Sequence, residues 1–195
     1  MPDTNPADSK RRMVESAALL FREQGYSGTG FNALIEHSGA PRGSIYHHFP
    51  GGKAQLAAET VRYAGEVVAT HLARVVRDGD PVAALRVYLA WWERTLERTD
   101  FRAGCPVVAV AVEVHDDRAV VDAAAEAFEQ WERMFAAALG DAGVARARAA
   151  RVATLTVAAI EGAVVLCRAE RSTQPLRDVG RELEAVIAAA RDEQP

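Results

Sequence analysis

The stretch from Thr29 to Lys53, TGFNALIEHSGAPRGSIYHHFPGGK, limits what this chain can become more than any other. Gly39 can end one short helix in a left-handed conformation, and Pro41 can open the next where its missing N–H costs nothing. The segment from Arg42 to Phe49 is barely two turns and cannot stand alone, so Ile45 and Phe49 must pack back on the helices before it. No acid occurs between His37 and Ala58, although the whole chain carries a formal net charge of -4. That local imbalance points to a small module that meets a polyanion, attached to a body with another task.

The surrounding pattern is helical throughout. Asp8 or Ser9 can cap a first helix whose Val14, Ala17, Ala18 and Phe21 form one apolar face, with Gly25 as a stop. A second helix runs from about Thr29 or Gly30 to Ser38, burying Phe31, Leu34 and Ile35. Pro50-Gly51-Gly52 breaks the chain before a long helix from Lys53 to about Arg77. Further helices are expected over 82–98, Val107–Val114, Asp117–Leu139, Ala145–Cys167 and Leu176–Ala190. The fold class is therefore all-α: a three-helix head containing a helix-turn-helix over residues 1–52, and a larger helical domain over 53–195.

Composition excludes some classes. A chain of 195 residues that is 49% hydrophobic and 26% charged is ordinary for a globular protein and wrong for a disordered one. Cys105 and Cys167 have no metal-ligand spacing and read as buried thiols. The polar N-terminus lacks the apolar run of a signal peptide, and Val152–Cys167, interrupted by Glu161, falls short of the ~20 residues of a membrane span. A cytoplasmic location without membrane contact is the expectation.

Two short helices about a glycine turn, braced by a preceding helix, suit double-stranded DNA, whose major groove admits one helix. Arg42 can contact a guanine edge or a phosphate, and Gly43 and Ser44 keep the helix surface small for close approach. Tyr46 and His47 can donate to phosphate oxygens. Lys53, at the start of the fourth helix, makes a second phosphate clamp, and Thr29 another. A small helical cap with a polar surface fits the same spacing. His47 and His48, adjacent on a helix and without acidic or cysteine partners, make no metal site.

The run ALLFREQGY…TGFNALIEHSGAPRGSIYHHFPGGKAQL, covering residues 10–57, resembles the DNA-binding domain of the TetR family of bacterial transcriptional regulators. Phe21, Gly25, Thr29, Leu34-Ile35, Gly39, Gly43, Tyr46, Phe49, Lys53 and Leu56 fall where that family's pattern places them. The resemblance implies a homodimer on a near-palindromic operator, usually acting as a repressor, with Thr29, Arg42, Ser44, Tyr46, His47 and Lys53 on the DNA side. Gly51-Gly52 before Lys53 and the Gly104-Cys105-Pro106 segment look closest to the LmrA/YxaF-like branch. Ala40-Pro41 departs from the commoner Val-Ser and removes a hydroxyl that would cap the recognition helix.

In the body, Trp91, Trp92, Phe101, Phe128, Trp131 and Phe135 fit either a core or an aromatic pocket between helices. The resemblance favours a pocket for an unidentified small-molecule effector. Glu113 and Glu161 stand in apolar surroundings and need a protein cation, solvent or a ligand donor. No nucleophile has a base and an orienting partner, so no enzyme activity is expected and no cofactor is called for. The Val152–Cys167 part of the helix over Ala145–Cys167 is apolar almost all round, and such a helix wants two partners, its own core and a second subunit. Ala153, Thr156, Ala159, Ile160 and Ala163, with Leu183, Val186 and Ile187, are the expected dimer face. A helical small-molecule-binding protein that recognises no specific DNA is the alternative.

Overall fold

A computed structural model describes residues 6–76 and 79–192, which form nine helices among the described residues. They are α1 (Pro6–Gly28), α2 (Phe31–Ser38), α3 (Ser44–His48), α4 (Gly52–Val76), α5 (Pro81–Arg98), α6 (Pro106–Glu113), α7 (Arg118–Asp141), α8 (Arg146–Glu170) and α9 (Gln174–Asp192). The chain is all-α, as its periodicity requires. The apolar run after Pro106 is a helix as expected, opened by proline at its first turn and by Cys105 in an extended conformation.

Local chemistry sets most boundaries. Asp80 caps α5 by accepting the Val82 N–H at 3.0 Å, with Pro81 in the first turn. Gly39 closes α2 in the left-handed region at φ 63°. Two expectations needed revision. α1 begins before Asp8 and does not stop at Gly25: that residue (φ 80°, ψ 169°) breaks the helix, and a second piece continues to Gly28. α3 is shorter than Arg42–Phe49, because the Ser44 N–H and hydroxyl both bond the Pro41 carbonyl, at 2.9 and 2.6 Å, and make residues 41–44 a turn.

The chain groups into two compact units, Met1–Glu66 with Cys105–Ala127 and Val67–Gly104 with Phe128–Pro195. The first contains the expected head together with the start of α4, α6 and the start of α7. Within it α1 packs against α2, α3 and α6. Met13, Phe21, Leu34, Ile45, Phe49 and Leu56 are essentially fully buried there. In the second unit α9 packs on α5 and α8. Leu72, Leu85, Leu96, Trp131, Leu139 and Ile160 are its largest enclosed side chains. Gly180 of α9 admits Leu89 of α5, since a Cβ there would stand 2.6 Å from the Leu89 Cδ1. Arg86 forks onto Glu184 at 2.7 and 2.6 Å across the same pair of helices.

α8 runs well beyond the apolar segment read from sequence. At 25 residues it is long and apolar enough to cross a membrane, and half of its most apolar window is buried inside the protein. A core helix with one face left open passes the same test.

Candidate nucleic-acid interface and body sites

The helix-turn-helix tip is built on two anchors. Ile45 (0% exposed) and Phe49 (1%) fix residues 41–49 to the head, which leaves Tyr46 and His47 between them pointing outward. Arg42, Gly43, Tyr46 and His47 are exposed, and Tyr46 is 68% so. The Tyr46 ring meets Phe31 of α2 edge-on at 5.8 Å, which holds the phenol upright on the surface. Ser44 is half-buried with its hydroxyl bonded to Pro41. Burial, with His47 and Lys10 beside it, pushes the His48 imidazole below its usual range. These groups offer one guanidinium, one phenol and one imidazole around a small-residue turn, a set able to donate to phosphate oxygens and base edges.

Two expected contacts stand differently. Thr29 is 3% exposed, its hydroxyl donates to the Gly25 carbonyl at 2.9 Å, and its N–H to the Tyr26 carbonyl at 3.2 Å. It braces the α1–α2 junction from inside and presents no donor to a phosphate. Lys53 is half-buried with its Nζ 4.3 Å from the centre of the Tyr26 ring. Burial lowers its pKa, and the Glu113 charge opposes that shift. At the start of α4 the Gly51 N–H goes to Gln55 Oε1 at 2.9 Å and the Gly52 N–H to the Phe49 carbonyl at 2.9 Å. Those two amides are therefore engaged within the head.

In the second unit some of the expected aromatics come together. Trp91 contacts Trp92 edge-on at 4.9 Å and stacks on Tyr88 at 5.7 Å, and Tyr88 meets Phe135 at 6.1 Å. Phe128 and Trp131 form a separate perpendicular pair at 5.4 Å. Sequence reasoning missed His71, whose ring lies 5.1 Å from Trp91. Its signal was present: position 71 follows the buried Val68 by three residues, so a titratable ring falls beside the apolar stripe of α4. Burial, with Arg74 and Arg94, lowers the His71 pKa and favours the neutral ring. His71 Nε2 and Trp92 Nε1 are buried with no hydrogen-bond partner among the described residues.

The remaining body residues divide. Trp92, Trp131, Phe135 and Glu161 are buried, whereas Trp91, Phe101 and Phe128 are half-buried. Phe101 closes the end of α5, its N–H bonding the Leu96 carbonyl at 2.8 Å. The Glu113 carboxylate, for which a protein cation, solvent or a ligand donor was the expected partner, instead accepts the backbone N–H groups of Tyr26 at 3.1 Å and Ser27 at 2.7 Å. Among the described residues no cluster of three or more His, Cys, Asp and Glu could hold a metal ion.

Most of the residues expected at the dimer face are enclosed within their own subunit. Ala153, Thr156, Ile160, Ala163, Leu183 and Ile187 lie between 0 and 3% exposed within their own subunit, and Ala159 and Val186 are half-buried. α8 is apolar on both sides, so the sequence did not reveal which side its own core takes. The open side carries Leu155 (47% exposed), Ala158, Gly162, Val165 (53%) and Leu166 (50%).

Comparison with known proteins agrees with this architecture. Residues 14–60 match the model of the bacterial regulatory proteins of the tetR family, and residues 81–182 that of the LmrA/YxaF-like transcriptional regulator C-terminal domain. The chain is 40% identical over 187 residues to an uncharacterised HTH-type transcriptional regulator of Mycobacterium tuberculosis, covering 92% of this chain and 94% of the relative. It is 34% identical over 171 residues to the HTH-type transcriptional regulator LmrA of Bacillus subtilis, covering 87% and 91%. A TetR regulatory protein from Rhodobacter sphaeroides has the same fold, with a TM-score of 0.81 at 24% identity over 91% of this chain and 98% of that one. An exposed, basic helix-turn-helix tip on an all-α body, matched along nearly its whole length by such relatives, has one reading: the chain belongs to the TetR family of DNA-binding transcriptional regulators.

Proposed function

We propose that the protein is a ligand-responsive homodimeric repressor of the LmrA/YxaF-like branch, working in the cytoplasm on a near-palindromic operator. The observation that carries this reading is the tip itself, where Arg42, Tyr46 and His47 stand exposed on a turn anchored by buried Ile45 and Phe49. Arg42 reads a guanine edge or a phosphate, Tyr46 and His47 hold the backbone, and Lys53 supplies a further charge. Gly43 and Ser44 permit the close approach. Two copies joined along the open side of α8 place two tips on successive major grooves, about one helical turn apart. Gly162 lies on that side with open space around it, which admits a close helix–helix contact.

The effector is a small molecule held in the second unit by Trp91, Trp92, Phe128, Trp131, Phe135 and Glu161, with His71 and Tyr88 added to the set. The Trp92 indole can only donate, so an effector that reaches it presents an acceptor. Binding that favours one of two states by about 2–3 kcal/mol shifts operator occupancy roughly 30- to 150-fold.

Selection of genomic fragments by the purified protein, followed by mobility shifts on the recovered sites, tests the reading. Arg42→Ala and Tyr46→Ala should weaken binding to the selected site and leave the dimer intact. Binding without sequence preference and with a steep salt dependence would instead support a helical ligand-binding protein with no specific operator.

A further inference from the structure

Glu113 is the last residue of α6, and its carboxylate is held at the junction between α1 and α2. The break at Gly25 turns Tyr26–Gly28 into a fresh helix start, whose first N–H groups have no carbonyl one turn behind them. The two Glu113 oxygens satisfy two of these donors, at 3.1 and 2.7 Å. Only glycine allows this approach. A Cβ at position 25 would stand 2.4 Å from Glu113 Oε1, on a backbone with φ +80°. The Gly25 carbonyl in turn receives the Thr29 hydroxyl at 2.9 Å, immediately before α2 begins. On the other side Lys53 sits over the Tyr26 ring and within the influence of the same carboxylate. One acid therefore meets the entry to the helix-turn-helix and the first cation of α4 together. Burial raises the Glu113 pKa, but the Ser27 and Tyr26 hydrogen bonds and the Lys53 charge outweigh it and leave the group charged at neutral pH.

We infer that Glu113 is a positioning residue for DNA recognition, through which α6 sets the placement of the helix-turn-helix. The inference rests on the proposal that the head reads a specific site. α6 follows α5, the carrier of Tyr88, Trp91 and Trp92, after the short 99–105 link. Hydrogen bonds weaken steeply with distance and angle, so a shift of about 1 Å in α6 releases the junction.

The test uses the full-length protein, the duplex that the wild type selects from a random-sequence pool, and a shuffled duplex of equal length. Glu113→Gln keeps the side-chain length while removing the charge. It should weaken binding to the selected duplex about 10-fold, leave the shuffled duplex unchanged, and speed hydrogen exchange of the Tyr26 and Ser27 amides. Glu113→Ala and Gly25→Ala should each lower the ratio of specific to shuffled affinity, and the double variant should lose little more than either alone. An unchanged ratio in Glu113→Gln and Glu113→Ala would overturn the inference while leaving the operator reading in place. An equal loss on both duplexes would overturn it as well, since that marks general damage to the head. If the wild type selects no sequence, the operator reading fails and this inference falls with it.

Discussion

The open side of α8 gives the proposed dimer a quantitative test. Leu155, Val165 and Leu166 are each about half exposed, at 47, 53 and 50%. Burying half of such a side chain is worth about 1 kcal/mol, so six of them across a two-fold axis contribute about 6 kcal/mol before association costs. Replacing Leu166 by Glu removes about 2 kcal/mol of that from the pair and brings two unpaired carboxylates out of water, at several kcal/mol each. A net loss of about 4 kcal/mol or more weakens the dimer some 1,000-fold. Sedimentation equilibrium reads the dissociation constant, and far-ultraviolet circular dichroism checks that the subunit stays helical. Ile160→Ala is the contrasting variant: at 1% exposure it should cost about 2–5 kcal/mol of unfolding free energy. The reasoning is refuted if Leu166→Glu dimerises within tenfold of wild type, or if Ile160→Ala dissociates the dimer without lowering the unfolding midpoint.

Further outcomes follow from single groups. Lys53→Ala should weaken binding to specific and shuffled duplexes alike and lower the slope of log affinity against log salt by about 1; an unchanged slope removes Lys53 from the phosphate contacts. Thr60 is fully buried and its hydroxyl has no partner among the described residues, so the near-isosteric Thr60→Val should stabilise the protein by about 1 kcal/mol in urea titrations. A loss of stability would mean that the hydroxyl is satisfied. The Glu113 pKa lies below the usual carboxylate range in the folded chain. Its contribution is therefore complete above the unfolded carboxyl pKa and is lost as pH falls through the lower folded value. Glu113→Gln should flatten that acid limb of the stability–pH curve and leave the slope near neutral pH unchanged.

The head was legible because its chemistry is local. Gly39, Pro41 and the short spacing to Phe49 dictate a turn and a minimal helix, and Ile45 with Phe49 decides which way Arg42, Tyr46 and His47 must face. Thr29 defeated the same reasoning, since its hydroxyl is taken up by a carbonyl only four residues away. A threonine before a helix reads equally as a surface donor or as an inward brace. Position alone does not separate them.

The body resisted for a different reason. Helical periodicity identifies an apolar face only where the opposite face is polar, and α8 gives no such contrast between Ile160 and Leu166. Glu113 was harder still. Its partners, Tyr26 and Ser27, lie 87 and 86 positions earlier, and they are backbone N–H groups that leave no mark on side-chain patterning. The trace that did exist was Gly25, whose positive φ both frees those amides and clears the space for the carboxylate. A glycine that reads as a helix stop ended as the receiving half of a long-range contact. The same residue that punctuates the sequence therefore fixes where the end of α6 takes hold of the α1–α2 junction.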